Sequence, residues 1–464
     1  MKKIRIIHTN DIHSSYDNFL KIAAEIKSLK NGHEIILDAG DFNDFSSSIT
    51  LGTKGYIGLK LLNQLNYTAL TIGNNEGFQN LNIIEENCNY GLVNILSCNL
   101  FCKDGQKIKG LKPSVFKTID EETFLIIGVS PYLPSYNAYY QNYGIVAFEP
   151  FTYIKEEIQK NKGKFDFVIL LSHLGLKTDI LMSQSIPEIN IIISGHSHHV
   201  MNCVKVNETY IHQSGVRGSH VGVMDVFIQQ HKIIQVTDQN IAMDESKSVD
   251  KELSVLFNQY KEMAIYNLSK PILSIPVNLE YSIDQECNFT NLLADYMKNH
   301  FECDFALVNS GLTEANLKAG EISMKDILEV CNSPLYVSTM AVQGKIIIQA
   351  LNMSTKQEKC HDHYRRPGFR GAFLGKLHVS YNCKIKQSFP NKLQFFINNQ
   401  LIETEKYYKI VTSDYFLRGM GYEVLGKNKD GHILAQTIKE IIIEALQDES
   451  SYIYINQKRW EKEI

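Results

Sequence analysis

Ile4-Arg5-Ile6-Ile7-His8-Thr9-Asn10-Asp11-Ile12-His13 is an apolar run that breaks off into metal-ligating side chains. The pattern recurs four times in the first half of the chain. Ile35-Ile36-Leu37 leads through Asp38 and Ala39 to Gly40-Asp41, and Ala69-Leu70-Thr71-Ile72 leads to Gly73-Asn74-Asn75-Glu76. Phe167-Val168-Ile169-Leu170-Leu171 leads to Ser172-His173, and Ile191-Ile192-Ile193 leads to Gly195-His196-Ser197-His198-His199. Short runs rich in Ile and Val, closed by Gly or Ser, predict strands buried on both faces. Helical spacing over residues 19–29, 58–65 and 153–159 falls between them. Alternating strands and helices predict a layered α/β domain, whose ligands gather where the strands end.

The residue types at those ends suit phosphoester hydrolysis. Water attacks anionic phosphate esters slowly. Two divalent ions roughly 3.5–4 Å apart can deprotonate a bridging water, neutralise phosphoryl oxygens and orient in-line attack. Asp41 suits a bridging carboxylate, because Gly40 before it permits a sharp turn and close backbone approach. Asp11 and His13 alternate along an extended segment and can clasp one ion, and His196 and His198 alternate in the same way. Mixed imidazole and carboxylate donors point to manganese, zinc or iron rather than calcium.

At 464 residues the chain is long enough for two domains. The expected division is a catalytic domain over residues 1–242, a linker helix within 243–269 capped by Ser248 and broken by Pro271, and a second domain over 270–464. Strand signals weaken after Val226. Beyond the linker the expected elements are strands at 272–277, 305–308, 376–381, 393–397 and 408–412, a helix over 291–300 and a final amphipathic stretch over 433–446. A net charge of -4 argues against a broad nucleic-acid surface. No run reaches the roughly 20 apolar residues of a membrane span. The segment after Met1-Lys2-Lys3 is too short and polar for export, and nine irregularly spaced cysteines suit free thiols, so a cytoplasmic location is expected.

The ordered clusters Thr9-Asn10-Asp11-Ile12-His13, Gly40-Asp41, Gly73-Asn74-Asn75-Glu76, Ser172-His173 and Gly195-His196-Ser197-His198 resemble the calcineurin-like metallophosphoesterases, in particular their bacterial 5'-nucleotidase branch. The resemblance implies a four-layer sandwich and a second α/β domain that binds substrate. It implies one ion held by Asp11, His13, Asp41 and His198, and another held by Asp41, Asn74, His173 and His196. In the second half, Asn291-Leu292-Leu293-Ala294-Asp295, the run from Ala306 through Asn309 to Gly311, Gly371-Ala372-Phe373-Leu374 and Thr412-Ser413-Asp414-Tyr415-Phe416 resemble segments of the branch's nucleotide-binding domain. There Phe373 and Tyr415, with Phe416 beside them, would sandwich a base.

Three departures stand against this likeness. Asn75 and Phe78 replace a catalytic His and the Asp that orients it, so general acid catalysis, worth about 10²–10⁴ in rate, is lost unless another group supplies it. The same Asn is similar to a cytoplasmic Gram-positive subgroup, and Asn75 can still donate to the phosphoryl group. Glu314 stands where the family has a phosphate-binding Arg, and Gly419-Met420-Gly421-Tyr422 lacks a ribose-binding Asp. Arg366 and Arg370, around a Gly-containing loop, are the expected compensating phosphate clamp. Glu76 is expected to support the site from behind, and the tract Cys360-His361-Asp362-His363 to be incidental. The expected activity is two-metal hydrolysis of nucleotides or related small phosphate esters by a metal-bridged hydroxide, with Asp41 and Asn75 at the reacting centre. The alternatives are a phosphodiesterase or pyrophosphatase acting on cyclic or sugar nucleotides, and a metal-loaded nucleotide-binding protein with little turnover.

Overall fold

The computed structural model describes residues 1–363, 368–388, 392–427 and 430–462. It divides into two compact units, Met1–Asn267 and Leu268–Ile464.

The first unit is built on two six-stranded sheets. One runs Lys232–Ala242, His220–Gln229, Lys2–Thr9, Glu34–Asp38, Ala69–Thr71, Asn94–Leu96 from edge to edge. The other runs Val200–Val206, Thr209–Ser214, Ile191–Ser194, Phe167–Ser172, Glu122–Val129, Ser114–Ile119. Side chains alternate along each strand, so each sheet buries two faces. Ile4, Ile6, Ile35 and Leu37 meet Ile126, Ile169, Leu171 and Ile193 between the sheets. On the outer face of the first sheet, Ile7, Ile36 and Leu70 pack on Phe19, Ala23, Ile57 and Leu61 from the helices Tyr16–Leu29 and Tyr56–Gln64. On the outer face of the second, Leu125, Ile127, Val168 and Leu170 pack on Ile154, Ile158 and Met182 from Pro150–Lys160 and Leu176–Ser185. Helix, sheet, sheet and helix make four layers. Glu34–Asp38 lies parallel to Lys2–Thr9 and to Ala69–Thr71, and Phe167–Ser172 lies parallel to Ile191–Ser194. All five metal-type clusters follow the carboxyl ends of these parallel strands.

Lys232–Ala242 is a strand, although the sequence weakens as a strand signal there. It is an edge strand paired only with His220–Gln229, so most of its side chains face outward and the apolar pattern thins. The long helix spans Lys251–Leu268 and begins after Asp250, whose Oδ1 accepts the Leu253 N–H at 2.8 Å; Asp250, not Ser248, caps it. Leu253 and Phe257 sit in the first unit's core, with the Phe257 ring 5.0 Å from that of Tyr16.

The second unit carries a five-stranded sheet in the order Leu377–Val379, Phe305–Asn309, Tyr407–Ser413, Tyr336–Gln343, Gly431–Thr437. A four-stranded sheet runs Gln400–Leu401, Lys392–Ile397, Cys383–Ser388, Trp460–Lys462. Pro271 opens the strand Pro271–Ile275 rather than marking a break, consistent with proline's tolerance at a strand's first residue. The stretch expected to be one amphipathic element over 433–446 is two. Gly431–Thr437 is a strand, and Thr437 caps the helix Ile438–Gln447 in a box with Glu440. Asn288–His300 packs on Phe305–Asn309, and Arg459, 1% exposed, pairs with Asp295 at 2.6 Å and donates to the Val379 carbonyl at 2.5 Å.

Candidate metal centre

The five strand ends of the first unit turn sharply, and the backbone there is unusual. Asp11, His13, Asp41, His196 and His198 all have positive φ, between 47° and 71°. Left-handed non-glycine residues cost on the order of 1–3 kcal/mol each and gather at functional sites. Gly40, at φ 90°, is required twice over, because a Cβ there would also lie 2.7 Å from His173 Nδ1. A Cβ on Gly73 would collide with the Asp41 carboxylate.

Asp11 and Asp41 stand at the centre. Asp11 Oδ1 lies 3.2 Å from His198 Nε2, 3.7 Å from His173 Nε2 and 3.8 Å from His13 Nε2. Asp41 Oδ2 lies 3.3 Å from His173 Nε2 and 3.8 Å from His13 Nε2, which puts it between the two imidazoles. Asp11, His13 and His198 form one group of potential donors within 4.8 Å, and Asp11, Asp41 and His173 form another. Asp11 is thus as central as Asp41. The His196 ring lies 5.2 Å from that of His173, and its backbone N–H donates to Asp11 Oδ2 at 2.9 Å. Asn74 follows Gly73 at the edge of Asp41, and its Oδ1 is buried with no hydrogen-bond partner among the described residues.

The electrostatics are those of a cation site. Burial pushes the Asp41 carboxyl up, but His173 and then His13 outweigh it and hold the group below the carboxylate range. Burial opposes charge on His173, yet Asp41 and Asp11 raise its imidazole to about 10. Burial and then His173 lower His196 to about 4. Two buried carboxylates therefore draw a proton onto His173, where a divalent cation would satisfy them instead. His173 Nδ1 donates to the Ala39 carbonyl at 2.6 Å, which leaves Nε2 turned toward the carboxylates. The residues fit a pair of divalent ions: mixed oxygen and nitrogen donors, two buried carboxylates each near more than one imidazole, and a buried Asn74 Oδ1 with no hydrogen-bond partner among the described residues.

Supporting groups fix this arrangement. Glu76 accepts the backbone N–H groups of Asn43, Asp41 and Gly73 at 2.8, 3.0 and 3.1 Å. Asn10 donates to Asp11 Oδ2 at 2.8 Å and accepts from Ser214. Asp179 was not legible in the sequence as part of the site. It is fully buried on the helix Leu176–Ser185 and accepts from Ser172 and Ser194, both at 2.5 Å. Those serines precede His173 and Gly195-His196. Only the pairing of the two strands brings them to one carboxylate, and no local spacing announces that.

Asn75, expected to face the phosphoryl group, is turned to Asp41: its side-chain N–H donates to Oδ2 at 2.6 Å and its backbone N–H to Oδ1 at 2.8 Å. Phe78 packs among three tyrosine rings of the helix Pro134–Tyr140, with centroids 5.5 Å to Tyr136, 5.6 Å to Tyr139 and 5.3 Å to Tyr140. Burial and then the Asp41 charge push the Tyr136 phenol up.

Residues 4–200 match the family profile described as calcineurin-like phosphoesterase, and residues 269–427 match the 5'-nucleotidase C-terminal domain. The chain is a calcineurin-like phosphoesterase joined to a 5'-nucleotidase C-terminal domain. It is 26% identical over 437 residues to the uncharacterized metallophosphoesterase YunD of Bacillus subtilis, spanning 90% of this chain and 93% of that one. It is 24% identical to the 5'-nucleotidase of Vibrio cholerae over 76% of this chain and 75% of that one. Its fold is similar to the structure of Haemophilus influenzae NAD nucleotidase, with a TM-score of 0.65, 16% identity and coverage of 99% and 97%. This phosphoesterase therefore belongs among hydrolases. None of its helices, among the described residues, is long and apolar enough to cross a membrane.

In its C-terminal domain the expected substrate residues do not form one open clamp. Tyr415 and Phe416 are fully buried, and Phe369 stacks on Tyr415 at 4.9 Å, so a protein ring takes the face expected to hold a base. Phe373 is half-buried beside His363, at 4.3 Å between centroids. Asn309 is buried and donates to the Leu374 carbonyl at 2.5 Å, which holds the loop that carries Phe373. Glu314 also holds this loop, accepting the Ala372 N–H. Arg370 is exposed, with its backbone N–H donating to Ser333 Oγ at 2.9 Å, and Arg366 lies outside the described residues.

Proposed function

We propose that this chain is a two-metal-dependent phosphohydrolase acting on nucleotides or related small phosphate esters. The observation that carries the reading is the gathering of Asp11, His13 and His198 in one donor group and of Asp11, Asp41 and His173 in a second that shares Asp11, with Asp41 also 3.8 Å from His13, at the ends of parallel strands. In this reading Asp11, His13, Asp41 and His198 hold one ion, and Asp41, Asn74, His173 and His196 hold the other. When bound, the pair would activate water and neutralise phosphoryl oxygens. Asp41 would be the ligand common to both ions, Asn75 keeps that carboxylate in place, and His173 is fixed by Ala39 to present Nε2. In the second domain Phe373 is the aromatic left accessible for a base, and Arg370 and Arg366 are the proposed phosphate contacts.

A second reading, a phosphodiesterase or pyrophosphatase acting on cyclic or sugar nucleotides, is favoured by one feature. Asn75 and Phe78 provide no acid beside Asp41, so phosphodiesters and phosphoanhydrides whose leaving groups need no strong acid suit the site better than alkyl monoesters. Metal-stripped protein reconstituted with manganese, offered nucleoside monophosphates, cyclic nucleotides, dinucleotides and sugar nucleotides, tests both. Phosphohydrolysis that disappears in Asp41→Ala supports the hydrolase. Hydrolysis restricted to anhydrides or diesters selects the second reading. No turnover, together with stabilisation by nucleotide, would instead indicate a binding protein.

A further inference from the structure

The helix Pro134–Tyr140 brings a group beside the metal centre that none of the sequence motifs contains. Tyr136, Tyr139 and Tyr140 are spaced i, i+3 and i+4, so they share one face of the helix. That face closes over Phe78, where the resemblance places an acid. Tyr140 and Tyr136 are not equally buried. Tyr140 is fully buried, and its hydroxyl has no partner among the described residues. Tyr136 is only half-buried. Its ring stands edge-on to His196, at 6.0 Å between centroids and 89° between planes.

The position taken by an imidazole in the family holds Asn75, whose side-chain NH2 lies 2.6 Å from Asp41 Oδ2 and 3.4 Å from His13 Nδ1. With its two hydrogens turned to those groups, Asn75 leaves a phosphate ester bound between the ions without a donor on this side. Resting on the hydrolase reading above, we infer that Tyr136 is a substrate-contacting residue whose phenol O–H donates a hydrogen bond to a phosphoryl oxygen. A neutral phenol can donate without carrying charge into a site that holds two carboxylates. The replacement of an acid by Phe78 follows from the same arrangement: a half-buried apolar ring at position 78 supports the tyrosine face, and a carboxylate there would lie against three rings.

The test is Tyr136→Phe, which keeps the packing on Phe78 and His196 and removes only the hydroxyl. Tyr140→Phe is the control. Each protein is loaded with manganese, its ion content and melting temperature are measured, and inorganic phosphate binding is followed by calorimetry beside kcat and KM. The expected result for Tyr136→Phe is unchanged ion content and melting, phosphate affinity weaker by about tenfold, and kcat lower by roughly 10²-fold, the scale of losing one preorganised donor. Tyr140→Phe is expected to match the wild type. Unchanged phosphate affinity and kcat in Tyr136→Phe would overturn the inference. So would loss of ions, which would mean that the hydroxyl acts through His196. If the wild type binds phosphate without hydrolysing any ester, the hydrolase reading fails while phosphate affinity still decides the role of Tyr136. If the wild type does not bind phosphate, both are overturned.

Discussion

At the scale of single residues, His173 makes the metal question measurable without substrate. Asp41 and Asp11 raise its metal-free imidazole to about 10, so at neutral pH an incoming cation must displace its proton. The sign follows: below that value protons compete with metal, and this one group makes apparent affinity fall by about tenfold for each unit of pH lost. Calorimetry in buffers of different ionisation enthalpy should show proton release on manganese binding, and a pH-independent affinity between 6 and 8 would contradict the assignment. Phe78 carries a second expectation. Restoring the family's acid with Phe78→Asp would place a carboxylate against Tyr136, Tyr139 and Tyr140 and remove the half-buried ring they pack on. Loss of that packing costs on the order of 2 kcal/mol, which lowers the melting temperature by roughly 4–8 °C rather than raising activity. A gain in phosphomonoesterase rate with unchanged melting would show that the aromatic cluster is dispensable.

At the scale of elements, Asp179 ties the helix Leu176–Ser185 to the two strands that deliver His173 and His196. Asp179→Ala is expected to lower metal affinity by about 10–100-fold without removing a ligand, measured by manganese titration. Unchanged affinity would show that the strand ends hold their own positions. In the second unit, Arg459→Leu leaves Asp295 buried without its partner and should cost about 3–5 kcal/mol in a denaturant titration. Replacing both by Leu should recover most of that loss. The same scale shows what the chain makes legible. The central strands of the first unit are buried largely on both faces, so their runs are apolar apart from Arg5, which pairs with Asp225, and each ends where its ligand begins. Lys232–Ala242 escapes because an edge strand needs no apolar face. The passage from Gly431–Thr437 into Ile438–Gln447 escapes because one amphipathic stretch fits both periods until Thr437 is seen as a cap. Tyr415 reads as a base platform from its motif, and only the stacking of Phe369 reveals that its face is taken.

At the scale of the whole molecule, all seven proposed ligands lie in Met1–Asn267, while the segments that resemble the family's nucleotide-binding domain lie in Leu268–Ile464. Ions should therefore slow hydrogen exchange around the strand ends that follow Thr9, Asp38, Thr71, Ser172 and Ser194, and leave the sheet around Tyr336–Gln343 unchanged. The first unit was legible because its chemistry depends on side chains beside their own strands. The second was less so because its proposed substrate residues lie on loops, where Glu314 holds the backbone of Ala372 and no spacing records it. The most direct measurement is ion stoichiometry on metal-stripped protein titrated with manganese, for the wild type and Asp41→Ala. The account predicts two ions per wild-type chain and at most one, weakly held, in a variant whose circular dichroism is unchanged. No divalent ion bound by the wild type, or undiminished uptake by Asp41→Ala, would contradict it.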